Sequence, residues 1–333
     1  MTVRVRPLLP AGRIAVSVVP PAHGWASPSA VVWLEYSDGF RAREVTGRDL
    51  AAATGAFEFD DLPPGRYAIV ANNAPIIGRP GGTALPGGWA TETVDVSPDG
   101  TTQSTLQLDR AVAISGRLAF DPLSSRTDLS TIGVSLVPIS LPPPLARRLP
   151  GNVLDQTDFS GRFAVRNIPA GRYAIRIETA EGNWTATSVR LFGREVVDEP
   201  IEISTDLAAI EVTLFDRRSD LRGTVGTEDA AAQTARAVAL FAKETRYWWP
   251  GSPRIRLAPI ALGGTFEVDD LGPGTYLIAA GDFDPGEPWT EALLTSLRPL
   301  AAEIAIGRGE RLIVDLQVRA GRTTASVKVP SGR

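Results

Sequence analysis

Three large rings stand in a row at Tyr247-Trp248-Trp249, directly before the turn signal Pro250-Gly251. Flat aromatic side chains suit stacking on sugar rings, because they offer contact area with little conformational entropy to lose. The same residues would also serve as core, since neighbours along a strand face opposite ways and large aromatics are mostly buried. A second group, Asp282-x-Asp284-x-x-Glu287, gathers three carboxylates around Pro285-Gly286. Calcium asks for hard oxygens on a bent loop, but it takes about six to eight of them, and neither that number nor the spacing of an EF-hand is visible. Solvated turn acids are the simpler account, so no metal and no other cofactor is expected.

The residues that are missing exclude more. The chain holds one histidine, His23 in a Pro/Gly-rich stretch, and no cysteine. Histidine-based metal sites, Cys/His nucleophile pairs, zinc clusters and disulfides all lose their parts. A hydrolase working through two carboxylates needs them facing across a cleft at about 5 to 9 Å, and no spacing suggests such a pair. No catalytic residue is assigned, and the chain reads as a non-enzyme. Thirty-four basic residues against 38 acidic ones give a net charge of -4. That leaves no overall field to draw in nucleic acid. No apolar run approaches membrane-spanning length. Arg4 and Arg6, with Leu8 and Leu9 ahead of Ile14 to Val19, imitate a signal peptide but are broken by Pro10, Gly12 and Arg13, so this segment reads as folded chain.

One pattern organises the 333 residues. It runs Gly55-Ala-Phe57-Glu-Phe59-Asp-Asp61-Leu62-Pro63-Pro64-Gly65-Arg66-Tyr67-Ala-Ile69. It returns from Gly161 through Phe163, Val165, Asn167, Ile168, Gly171 and Tyr173 to Ile175, and again from Gly264 through Phe266, Val268, Asp270, Leu271, Gly274 and Tyr276 to Ile278. Phe57 and Phe59, and their counterparts, alternate with residues such as Glu58 and Glu267, the period of two of a half-buried strand. Pro64-Gly65 and Pro273-Gly274 then meet the requirement of a type II turn, with proline at φ near -65° and glycine at positive φ. Tyr67, Tyr173 and Tyr276 open a second strand on the same face as the following isoleucines. This suits a corner whose phenol bonds to backbone, as in immunoglobulin-like sandwiches, rather than a ligand group. Asp60-Asp61 and Asp269-Asp270 become Arg166-Asn167 in the middle copy, which argues for turn chemistry over a shared metal site.

The copies lie 106 and 103 residues apart, too far for a solenoid unit and right for a whole sandwich. First strands are expected at Gly12, Gly116 and Gly223, which precede the motif glycines by 43, 45 and 41 residues. Second strands are expected at 31–36, 132–137 and 237–241. The last of these falls in an alanine-rich stretch that propensity alone would make helical, and the repeat register overrides it. Closing strands at 105–108, 211–214 and 313–316 set boundaries near 110 and 218, giving units of 1–110, 111–217 and 218–333. Val3 to Arg6 resembles the closing strand of a preceding unit. Residues 290–302, with Leu293, Leu297 and Leu300 on one face, predict a short helix inserted in the third unit.

With this motif read three times, the chain resembles tandem carboxypeptidase regulatory-like domains, the transthyretin-like or prealbumin-like sandwich related to Cna B-type modules. The resemblance covers nearly the whole chain. It implies an all-β fold of three tandem seven-stranded antiparallel, Ig-like sandwiches in a bacterial multi-repeat protein. It also implies a non-catalytic structural or interaction role outside the cell or at its surface, with a protein or polysaccharide partner. The alternative is a carbohydrate-binding protein that uses the exposed platform Tyr247, Trp248 and Trp249. The histidine sites of transthyretin-like hydrolases cannot be built from His23 alone. Lys-to-Asn isopeptide bonds of Cna B-type modules lack a partner, since Lys243 and Lys328 lie in the third unit, which has no Asn after residue 218. A Lys-to-Asp variant remains open.

The remaining features read as structure. Trp89 and Trp184 start similar strings and belong to cores, while Trp289 precedes the helix. Asn72 to Gly88 is a Gly/Pro-rich hairpin insertion without phosphate-loop spacing. Pro142-Pro143-Pro144 before Arg147-Arg148 is a stiff spacer.

Overall fold

The computed structural model describes residues 11–19, 30–36, 48–49, 55–73, 87–122, 132–149, 155–158, 160–179, 184–226, 235–284, 288–319 and 321–328. His23, Glu287, Val3 to Arg6 and most of the 72–88 insertion lie outside these residues. The first third of the chain supplies β1 (Gly12–Val19), β2 (Ala30–Tyr36), β3 (Arg48–Asp49), β4 (Ala56–Leu62), β5 (Gly65–Asn73), β6 (Gly88–Val96), β7 (Thr101–Gln107) and β8 (Asp109–Arg110). The middle third supplies β9 (Val112–Phe120), β10 (Ile132–Pro138), helix α1 (Pro143–Arg148), β11 (Asp155–Gln156), β12 (Arg162–Ile168), β13 (Gly171–Thr179), β14 (Thr185–Leu191), β15 (Arg194–Glu195), β16 (Ile201–Ile203) and β17 (Leu207–Phe215). The last third supplies β18 (Ser219–Gly226), β19 (Ala237–Ala242), β20 (Ile255–Pro259), β21 (Thr265–Leu271), β22 (Gly274–Gly281), helix α2 (Glu291–Leu297), β23 (Ala302–Ile306), β24 (Arg311–Arg319) and β25 (Arg322–Lys328).

The fold is all-β. Each set of strands makes two sheets: β4-β1-β7 with β3-β2-β5-β6-β8, then β12-β9-β17-β14-β15 with β11-β10-β13-β16, then β21-β18-β24-β25 with β20-β19-β22-β23. Within each set, alternate residues of both sheets meet in one core. In the first, Ile14, Val16 and Val18 of β1 join Val32 and Leu34 of β2 and Tyr67 and Ile69 of β5. Pairing is antiparallel with one exception per set, where the first strand runs parallel to the closing strand: β1 with β7, β9 with β17 and β18 with β24. The expectation of wholly antiparallel sheets is corrected here. The chain enters each first strand at one end of the sandwich and leaves each closing strand at the other, so the two run in the same direction where they pair.

The repeated motif has the same geometry three times. Each tyrosine is almost wholly buried and donates its hydroxyl to the backbone carbonyl four residues back: Tyr67 to Pro63 at 2.7 Å, Tyr173 to Pro169 at 2.6 Å and Tyr276 to Gly272 at 2.8 Å. The turn is not the type II turn expected of the Pro-Gly pair. Gly65 and Gly274 have φ of 155° and 159°, far from the roughly +80° of that turn. The left-handed residues are Asp61, Asn167 and Asp270, with φ of 56°, 57° and 59°, at shifts in strand register. Asp and Asn tolerate this conformation best after glycine, which accounts for the Asp/Asn choice there. The motif glycine instead makes room. A Cβ at Gly65 would collide with the ring of Tyr36; at Gly171 it would lie 2.6 Å from Leu141 and at Gly274 2.7 Å from Arg254.

Burial pushes the phenol pKa values up, to about 12 for Tyr276, with Tyr67 and Tyr173 also raised chiefly by loss of water. Because the folded chain holds these protons more tightly than the unfolded one, the stability they bring is complete below about pH 10 and is lost as the pH climbs toward the folded values. Thermal melts should therefore fall between about pH 10 and pH 12, by on the order of 1 kcal/mol per tyrosine. A flat profile would contradict the corner geometry.

Outer faces explain the strands that do not alternate. All six residues of β19 are buried, because Val238 and Leu240 enter the inter-sheet core while Phe241 packs with Leu277 of β22 under Leu294 and Leu297 of α2. The helix is shorter than the 290–302 prediction, ends in a 3-10 turn over Arg298–Leu300 and buries Leu294 and Leu297, with Leu300 exposed. The Thr290 hydroxyl caps it by accepting from the Leu293 N–H at 3.2 Å. A second helix, α1, stands where the prolines predicted only a spacer. Proline fits its first turn, where N–H groups have no helical partner in any case. Its Leu145, with the adjoining Leu149, packs in the middle core, into which Val70 and Trp89 of the first set also reach.

Candidate functional site

Four charged residues are buried among the described ones: Glu35, Asp121, Glu199 and Arg254. All four lie where one set of sheets meets the next. Burying a charge is costly unless it is paired and hydrogen-bonded, so these positions mark where the chain has built specific polar structure.

At the first joint, Glu35 of β2 sits 2% exposed and accepts from Arg147 at 2.6 Å and Arg148 at 2.7 Å, both at the end of α1. Arg148 also lies over the Trp33 ring, 5.5 Å from its centre, and Trp33 stacks on Trp89 at 6.3 Å and 14°. The Trp89 indole N–H donates to the carbonyl of Asn167, the left-handed residue of the middle motif, at 2.9 Å. Asn72 donates to the Gly88 carbonyl at 3.0 Å and accepts from Asn167 at 3.5 Å. Asp206 clamps the connection, accepting from Arg110 at 2.7 Å and from the Ala113 N–H at 2.9 Å.

The second joint repeats this chemistry with other residues. The Trp249 indole N–H donates to the carbonyl of Asp198 at 3.0 Å, and Arg254 donates to the Asp198 carboxylate at 2.8 Å and to the Pro273 carbonyl at 2.9 Å. The Tyr247 ring is sandwiched by arginines, with Arg254 at 4.3 Å and Arg246 at 4.7 Å from its centre. Glu199 is held by Arg194 and Arg246, each at 2.8 Å. Arg176 lies over Trp249 and donates to the Gly251 carbonyl at 2.7 Å, and Arg308 reaches Asp121 at 3.0 Å. Burial is the strongest single influence on Arg254 and works against its charge, but Asp198 together with the phenols of Tyr276 and Tyr247 outweighs it and the guanidinium is held above its ordinary pKa. Arg176, with less help, is shifted down by burial.

The predicted sugar platform is therefore not exposed. Tyr247 and Trp249 are each 5% exposed in the second joint, and Trp248, half-buried, donates its indole N–H to the Ala242 carbonyl and meets Phe241 edge-on. The loop after β19 carries Tyr247 and Trp249 into the gap between sets, while Trp248 between them turns back onto the helix-covered face of its own set. Trp184 is buried and packs on Phe120 at 4.7 Å. Of the calcium candidates, Asp282 is exposed and pairs with Arg236 at 3.3 Å, Asp284 is exposed and Glu287 lies outside the described residues. Among the described residues no group of three or more acidic or histidine side chains is placed to hold a metal.

No family model matches the chain. No curated protein matches it either. Among solved structures, it is similar to a streptococcal ancillary pilin at 13% identity and TM-score 0.25, covering 93% of this chain and 99% of that one. The minor pilin of Streptococcus agalactiae gives 15% identity and TM-score 0.26 over 61% of this chain and 95% of that one. The Bacillus anthracis TIE protein gives 13% and 0.23 over 93% of this chain, which spans 50% of that protein's length. Likenesses at this level do not define a family.

Both lysines face acids. Lys243 pairs with Glu303 at 2.7 Å, and Lys328 with Asp315 at 3.0 Å. An amide between such partners needs a neutral amine and a protonated acid. The Lys328 hydrogen bond holds the Asp315 carboxyl below its ordinary pKa, and both groups reach water, so the pair stays ionic. No helix among the described residues is long and apolar enough to cross a membrane.

Sequence reasoning did not single out Glu35, Asp121, Asp198, Glu199 or Arg254. One signal was readable for Glu35, a charge inside the apolar run from Val31 to Tyr36. The others look like ordinary turn and strand-end charges until the neighbouring set is in place.

Proposed function

We propose that the chain is a non-catalytic structural and interaction module, extracellular or at the cell surface. In this reading three β-sandwich units, 1–110, 111–217 and 218–333, are fixed in tandem as carboxypeptidase regulatory-like domains. The observation that carries the reading is that the four buried charges all serve the joints, where each carboxylate is neutralised by arginine and an indole N–H ties one set to the backbone of the next. Flexibly strung domains expose polar linkers and do not need such costs met. Groups engaged in this way hold geometry rather than turn over a substrate. Small-angle scattering tests it: a stiff tandem array should give a radius of gyration well above the roughly 20 Å of a compact chain of this length. A value near that figure would overturn the reading.

A further inference from the structure

The third set holds a cavity of about 810 Å³ that takes no part in the joints. Leu257 and Pro259 of β20 line part of it, and Phe283 and Trp289, on the segment between β22 and α2, line another. The two rings are half-buried, 5.9 Å apart and inclined at 57°, and they are backed by the cluster of Phe241, Leu277, Leu294 and Leu297. Ala237 and three exposed charged residues, Arg236, Asp282 and Asp284, complete the lining, with Arg236 paired to Asp282 at 3.3 Å. Arg236 is fixed at its backbone, its N–H donating to the Gly281 carbonyl and its carbonyl accepting from Ile260, each at 2.9 Å.

A pocket of this size, with ring walls and a few polar groups, has the form of a small-molecule site. Its chemistry selects the ligand. A purely apolar guest would strip water from Arg236 and Asp282 without replacing it. A cation would meet the guanidinium, and an anion the two carboxylates. A neutral ring bearing hydroxyls on its edge and C–H groups on its face satisfies both, because a hydroxyl donates to a carboxylate and accepts from a guanidinium while the C–H face covers an aromatic ring. We propose that this cavity binds a pyranose unit of a neutral polysaccharide, with the sugar face on Trp289 and the hydroxyl edge between Asp282 and Arg236. The site is distinct from Tyr247, Trp248 and Trp249, and it would give the array a ligand whether or not the joints are rigid.

Titration calorimetry on the full chain with neutral hexasaccharides of glucose, mannose, xylose and galactose, each up to about 10 mM, tests this. At least one should bind saturably, and Trp289→Ala and Asp282→Asn should each weaken that binding about tenfold or more. Asp282 is exposed, so Asp282→Asn should keep its melting profile; if Trp289→Ala fails to fold, Arg236→Gln takes its place beside Asp282→Asn. Absence of binding to all four sugars would overturn the proposal. So would binding indifferent to these substitutions, or binding of hexa-arginine that the sugars do not displace.

Discussion

Asp198→Ala should lower stability by about 3–5 kcal/mol, the usual result when one partner of a buried ion pair is removed. Arg254 keeps its charge, is 6% exposed as a side chain, and would be left with only the Pro273 carbonyl and the Tyr247 and Tyr276 rings around it. The loss should be visible in urea unfolding as a lower midpoint with the denaturant slope of the last transition unchanged. Arg254→Ala in the same background should restore part of it, because the uncompensated charge goes with the side chain. If Asp198→Ala melts like the parent, the second joint is not closed in solution.

Trp89→Ala should cost about 3–5 kcal/mol as a large-to-small change in a packed site. Where that loss falls is the informative part. Trp89 packs in the middle core, stacks on Trp33 and bonds to Asn167, so it belongs to two sets at once. Differential scanning calorimetry should show the first set unfolding ahead of the second in the variant, where the parent shows them coupled. A single transition lowered as a whole would mean that the tryptophan stabilises one core and couples nothing.

Much of the fold was legible because the motif tests itself three times. Phe163 with Val165, and Phe266 with Val268, occupy the places of Phe57 and Phe59, and the register this gives placed β19 correctly against the helical preference of its alanines. The burial of β19 on both faces explains its unbroken apolar run, which has no period of its own to read. The Pro-Gly pair was misread because a turn residue was credited with a backbone angle, when the glycine is there to admit Tyr36, Leu141 or Arg254 over the strand. Helix α1 was missed because three consecutive prolines argue for extended chain unless the following residues have a core to enter, and that core belongs partly to the previous set. The joints were invisible for the same reason. Sequence shows period within a unit, whereas the partner of Glu35 or Asp198 is fixed by how two units abut.

The parallel pairing of first and last strands has a mechanical consequence. In the first set, the ladder from Arg13 with Thr101 to Val19 with Gln107 joins the strand by which the chain enters to the strand by which it leaves. A pull on the two ends would drag these neighbours lengthwise past each other, loading every bond of the ladder at once instead of opening them one after another. Tension along the chain would meet its greatest resistance at that shear line and at its equivalent between Val112–Phe120 and Leu207–Phe215.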